Sequence, residues 1–180
     1  DEEPAETETP EPGELQPTPT QVPVSGEPAF TAASKLTTVG LDEIFFGDPV
    51  EDAAEKASTT WIGLPPAGSA PQCYTVQPSG GPAGVVFTVV DGRIERVDIT
   101  TATITTRSGA GVGSTETQLD ELFGSQLEVA PAAGGNQITF VPQSEQDKVF
   151  RIIWVTDGTT VTEMRAGRLA QVQPRTPCSG

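Results

Sequence analysis

The second half of this chain repeats the first. An offset of 66 positions carries Phe46-Gly47-Asp48-Pro49-Val50-Glu51-Asp52-Ala53-Ala54-Glu55 onto Val112-Gly113-Ser114-Thr115-Glu116-Thr117-Gln118-Leu119-Asp120-Glu121. Each copy sets an apolar residue and a glycine ahead of a helix cap. The same offset carries Val89-Val90-Asp91-Gly92 onto Val155-Thr156-Asp157-Gly158, a strand running into a hairpin turn. Two unrelated signals sharing one offset imply that a whole structural unit is duplicated. The expected fold is therefore α+β: duplicated helix-plus-meander units, about 36–100 and 101–178, forming one antiparallel sheet with the helices packed on one face.

The repeats occupy only part of the chain. Residues 1–29 hold eight acids, no base and seven of the 17 prolines. Such a segment buries too little apolar surface to offset its ordering entropy. Residues 1–34 are accordingly predicted to be a disordered acidic Pro/Thr-rich spacer, and 35–180 a single domain. The whole chain carries a net charge of −15; outside the first 29 residues, 10 basic residues face 17 acidic ones, a net of −7. No basic stripe remains to hold nucleic acid or an anionic membrane surface. No apolar run approaches the roughly 18 residues that a membrane helix needs.

Cys73 and Cys178 are the only cysteines, and the chain has no histidine. Two thiols alone fall short of the roughly four sulfur or nitrogen ligands that zinc prefers. In an exported protein such a pair reads as one disulfide, the other possibility being two unrelated buried thiols. The spacer, its abrupt start and this pair together predict an extracellular or cell-envelope protein. Tethering through an N-terminal lipid anchor outside this chain is one form of that expectation.

Turn chemistry and periodicity place the elements. A helix is predicted from Asp48, with Pro49 in its first turn, to about Ala57. A second begins at Ser114, carries an apolar stripe of Leu119, Leu122 and Phe123, and ends at Gly124. Strands are predicted at Cys73–Val76, Val85–Val90, Arg93–Ile99, Leu127–Val129, Gln137–Val141, Val149–Thr156 and Val161–Ala166, with Asp91-Gly92 and Asp157-Gly158 as hairpin turns. About six strands would share the sheet. Alternation at the repeat offset puts Phe87, Val89, Val97, Ile99, Ile138, Phe140, Ile153 and Val155 beneath the helices. The other face then carries Thr88, Arg96, Asp98, Thr139, Trp154, Thr156, Glu163 and Arg165.

Catalytic patterns are sparse. Without histidine, no serine, threonine or cysteine has the usual general base. The run Gly109-Ala110-Gly111-Val112-Gly113 precedes a helix as a phosphate loop does, but Gly113 is matched by Gly47, where no such run exists; these glycines read as turn residues. Asp91 with Glu95, and Asp157 with Glu163, are carboxylate pairs of a kind used on glycosides. Asp91 and Asp157 are already engaged as turn residues. No calcium loop, other metal site or cofactor site is expected. On the open face, Trp154 is either a covered packing residue or a contact residue. Ringed by Arg96, Asp98, Glu163 and Arg165, it makes a candidate partner-binding patch.

Several stretches resemble a family of exported actinobacterial proteins of unknown function, often lipid-anchored. They are Leu41…Phe46-Gly47-Asp48…Glu51-Asp52-Ala53, Cys73-Tyr74, Val89-Val90-Asp91-Gly92-Arg93-Ile94, Thr105-Thr106-Arg107-Ser108-Gly109…Val112-Gly113-Ser114-Thr115-Glu116, and Thr156-Asp157-Gly158…Val161-Thr162-Glu163-Met164-Arg165-Ala166-Gly167 through Cys178. The likeness spans about residues 36–178. Its tandem helix-plus-meander plan is similar to that of β-lactamase inhibitor protein, and the resemblance implies no catalytic residues. The expected function is that of a monomeric, non-enzymatic envelope or secreted protein that binds another protein through its open sheet face. The alternative is a proteinaceous inhibitor of a secreted hydrolase, argued from fold analogy.

Overall fold

The alternating runs on either side of Asp91-Gly92 and Asp157-Gly158 pair as antiparallel hairpins, and an extended sheet grows around them. In the computed structural model, which describes residues 29–179, this sheet has eight strands. They are β4 (Trp61–Ile62), β5 (Cys73–Pro78), β6 (Val85–Val90), β7 (Arg93–Ile99), β9 (Leu127–Ala132), β10 (Gly135–Phe140), β11 (Phe150–Thr156) and β12 (Val161–Arg168). Their spatial order is β4-β5-β6-β7-β12-β11-β10-β9. Two four-stranded meanders thus meet antiparallel at β7 and β12. A smaller sheet, β3-β2-β1-β8, is built from β1 (Lys35–Thr37), β2 (Gly40–Leu41), β3 (Ile44–Phe45) and β8 (Thr105–Thr106). The helices are short: α1 (Val50–Lys56), α2 (Glu116–Phe123) and α3 (Leu169–Val172).

Register shows which side chains share a face. Val85, Ile99, Met164, Trp154 and Ile138 are consecutive cross-strand neighbours. So are Val76, Phe87, Val97, Ala166, Ile152, Phe140 and Leu127. These two rows form the sheet half of the core. Over them lie Leu36, Leu41, Ile44 and Ile104 from and beside the small sheet, Val50 and Ala53 of α1, and Leu119 of α2. Trp61 meets Phe87 edge-on at 5.4 Å and donates its indole N–H to the Val50 carbonyl at 2.7 Å.

The core corrects the predicted position of Trp154. It is fully buried and stacks on Phe123 of α2 with ring centroids 5.3 Å apart. The error was one residue. The pair that closes the first hairpin turn is Val90–Arg93 and the one that closes the second is Thr156–Val161, so the two turns are centred 67 positions apart. The helix starts remain 66 apart: Gly47 N–H donates to Ile94 and Gly113 N–H to Val161. Asp157-Gly158 sits one place earlier in its turn than Asp91-Gly92, so matching these pairs slipped the strand by one. Because side chains alternate, a slip of one exchanges the two faces. Trp154 therefore takes the place of Phe87, while Ile153 and Val155 move to the outer face. Thr156, at a register irregularity, is buried and donates to the Glu116 carboxylate at the start of α2.

The helix starts are also corrected. Asp48 does not cap α1; its carboxylate accepts from Phe45 N and Lys56 Nζ, each at 2.8 Å, and Pro49 precedes the first turn. At α2 the cap is Thr115 rather than Ser114, in a reciprocal capping box with Gln118. Ser114 accepts instead from Gly111 N. Most of the predicted spacer, 1–28, lies outside the described residues. Positions 29–34 are packed: Phe30 is buried 5.7 Å from Phe87, and Ser34 donates to Asp42. The packed unit thus begins upstream of residue 35.

Candidate functional site

The outer face of the sheet is not open, because the chain returns over it. After β12, the chain turns at Arg168 into the single turn α3, which lies against β11, β12 and β7. It then runs across β7 and β6 to β5, where Cys178 joins Cys73 in a disulfide that spans 105 positions. Residues 169–179 thus form a strap across the sheet. Only Val172 of the strap is fully buried, so apolar packing holds it at one point.

Arginine holds it elsewhere. On the outer face, one cross-strand row is Thr75, Thr88, Arg96, Gly167 and Arg151, and the next is Val86, Asp98, Arg165, Ile153 and Thr139. Arg96, fully buried, has all five N–H donors engaged. Two reach the Asp98 carboxylate at 2.7 and 2.5 Å. The other three reach the carbonyl oxygens of Gln171, Pro174 and Arg175 at 2.9, 2.6 and 2.9 Å. Arg165 donates to the Val172 carbonyl at 2.8 Å and to the Gln137 side chain at 2.9 Å. Its Nη1 lies 3.6 Å from Glu163, close enough for an ion pair but too long for a hydrogen bond. Burial, and then the neighbouring Arg96 charge, hold the Arg165 pKa below the usual guanidinium value.

Two cations enclosed side by side persist only with anions and acceptors around them. Asp98 and Glu163 supply the charge, and the strap supplies four backbone carbonyls. Gly167 provides the space, since a Cβ there would meet the Glu95 carbonyl and lie 2.9 Å from Arg96 Cα. Nearer the disulfide the fit is looser. A cavity of about 270 Å³ lies between strap and sheet, lined in part by Thr88, Val90, Gln171, Pro174 and both cysteines. The buried Thr88 hydroxyl has no hydrogen-bond partner.

Of the residues predicted for partner binding, Arg96, Asp98, Glu163 and Arg165 do come together, and Trp154 does not join them. Arg96 and Arg165 are enclosed beneath the strap, whereas Asp98 and Glu163 keep about a quarter to a third of their side-chain surface. The strap residues Gln171, Val172, Pro174 and Arg175 were missed. A signal for them was present: Cys73 and Thr75 share the outer face of β5, and β5 is three strands from β12. With strands about 4.8 Å apart, the segment joining β12 to that disulfide must cross the outer face.

The other carboxylate pairs serve the framework. Asp157 accepts from Thr159 and Thr160 N–H groups in its turn, which hold its pKa below the usual carboxylate value. Glu95 points to the core side at the bulge opposite β6, 2.6 Å from Arg168 Nε. Burial raises its pKa by more than Arg168 lowers it. A surface cleft is bordered by Phe30, Asp42, Glu43, Lys56 and Ser58. Among the described residues, no three His, Cys, Asp or Glu side chains cluster as metal ligands do, and no helix is long and apolar enough to cross a membrane. A disulfide is compatible with an extracellular location. Comparison with protein-family models, with curated proteins and with solved structures finds no match for this chain.

Proposed function

We propose that this chain is a non-enzymatic binding module of the cell envelope or the secreted fraction, and that its partner is a protein. One observation carries the reading: the outer face of the sheet already holds a polypeptide. Arg96 and Arg165 together direct four N–H donors at backbone carbonyls of residues 171–175. Backbone carbonyls are common to every polypeptide, so this chemistry suits a protein partner. The side chains left accessible around the strap, Asp98, Glu163 and Arg175, would make the polar rim of such a contact.

The same reading treats the two meanders as products of an internal duplication. Supporting it are the strand order, alike from either edge, and the matching helix starts, where Pro49 bridges Arg93 and Thr115 bridges Thr160. Placement outside the cytoplasm rests on the disulfide and on the acidic spacer composition. A lipid anchor belongs to the same proposal.

Site-specific photo-crosslinking tests the binding face. Probes at Arg175 and Thr139, on the strap side, should capture one protein from an envelope extract, and a probe at Glu51 on α1 should not. Capture confined to Glu51, or absent from all three positions, refutes the reading.

A further inference from the structure

The strap is held in two different ways. Its first turn is anchored by packing, through Val172, and by the backbone bond from Leu169 N to the Val149 carbonyl. Beyond Val172 it is held by Arg96, which grips the Pro174 and Arg175 carbonyls, and by the disulfide. Gln173, Arg175, Thr176, Cys178 and Ser179 are exposed, and Gln171, Pro174 and Pro177 are half-buried. Cys178 is therefore accessible to a reagent in solution, while its partner Cys73 is half-covered in β5. Below this stretch lies the 270 Å³ cavity with the unpartnered Thr88 hydroxyl. A tightly fitted segment would have filled that space and satisfied that group.

We propose that residues 173–179 are a lid bolted by the Cys73–Cys178 disulfide, and that reducing this bond uncovers a peptide-binding groove lined by Arg96, Thr88 and Val90. The proposal rests on the binding reading above and adds its regulation. The reductant is a dithiol. One of its thiolates attacks the exposed Cys178 sulfur, forming a mixed disulfide and releasing the Cys73 thiolate. Its second thiol displaces Cys178, so the dithiol leaves as a disulfide and both cysteines end as thiols. The two electrons come from the dithiol, whose two protons end on the cysteines.

Once unbolted, the lid stays tethered at Val172. Arg96 keeps the Gln171 carbonyl and exchanges two others, those of Pro174 and Arg175, for water or for another chain. The occupant that fits is an extended polypeptide segment offering backbone carbonyls where Pro174 and Arg175 present theirs. Arg96 remains neutralised by Asp98, so such a segment needs acceptor oxygens more than net negative charge.

The test uses the full chain, oxidised and reduced, without partner. Limited proteolysis at arginine, read by mass spectrometry, should show the Arg175–Thr176 bond losing protection on reduction, while β6, β7 and β12 stay uncut. Unchanged strap protection in a chain shown to carry two free thiols overturns the lid. Cutting of strap and sheet at one rate also overturns it, since the folded sheet would then have come apart with the bond. Cys178→Ser reports the same opening without a reductant.

A fluorescent peptide of residues 173–179, with serine at 178, then probes the groove. It is titrated to roughly millimolar, the effective concentration of a short tethered competitor. Binding to the reduced chain, loss of binding in Arg96→Gln and none to the oxidised chain support the groove. No binding to the reduced chain, or equal binding to both forms, overturns it. Because these measurements need no natural partner, the lid can fail while the crosslinks of the preceding test persist, and the reverse holds too.

Discussion

Trp154→Ala is the most informative single substitution. The side chain is fully enclosed, stacked on Phe123 of α2 and flanked across the strands by Ile138 and Met164. Truncating a buried tryptophan removes its transfer free energy and leaves a cavity, together costing about 3–5 kcal/mol. For a chain of this size, that lowers the melting temperature by roughly 6–20 °C. One term opposes it: the buried indole N–H has no partner, and such an orphan costs about 1–3 kcal/mol. Trp154→Phe removes that orphan and keeps a ring against Phe123, so it should cost less than about 1.5 kcal/mol. Guanidinium denaturation of wild type and both variants, with the disulfide intact, measures the difference. An alanine variant more stable than wild type would place Trp154 outside the core and refute the register described above. A phenylalanine variant as damaged as the alanine one would refute the argument from the indole N–H.

Three further perturbations bear on the framework. Reducing Cys73–Cys178 should lower global stability by about 4–5 kcal/mol, the chain-entropy value for a loop near 105 positions; a loss under about 1 kcal/mol would show that the unfolded chain is not constrained by this bond. Gly167→Ala forces a methyl group against the Glu95 carbonyl and Arg96 at the β7–β12 seam, and should cost about 1–3 kcal/mol in the same assay, whereas a neutral result would mean the seam yields freely. Burial raises the Glu95 pKa above its ordinary 4.5, so the folded chain binds the proton more tightly than the unfolded one, and stability falls as pH rises from about 4.5 through the folded value. Glu95→Gln should therefore gain stability relative to wild type between acidic and neutral pH, and a difference that is flat or of opposite sign would show that the Arg168 ion pair outweighs burial.

Local chemistry in the sequence was enough for the hairpins and for the disulfide. Strands β6 and β7 run as the alternation around Asp91-Gly92 predicts, because a two-residue turn ties each strand to its neighbour. The pairing of Cys73 with Cys178 needed only that no other cysteine exists. Strands β1, β2, β3 and β4 escaped notice because two or three residues carry no readable period, and partners elsewhere in the chain order them. The face of Trp154 was decided by tertiary structure. Both faces of β11 are rich in apolar residues, so its alternation does not choose between Ile153 and Trp154, and a one-residue difference between helix and strand spacing tips the choice. Arg96 and Arg165 show the same limit from the polar side. Arginine on an outward-facing strand position reads as solvated, and its burial depends on carbonyls of Gln171, Val172, Pro174 and Arg175. The three that accept from Arg96, those of Gln171, Pro174 and Arg175, lie 75 to 79 positions away along the chain. Sequence patterns report a residue's neighbours within a strand or turn. Whether a distant segment returns to satisfy a buried charge is settled only when the sheet is assembled and the strap is drawn across it.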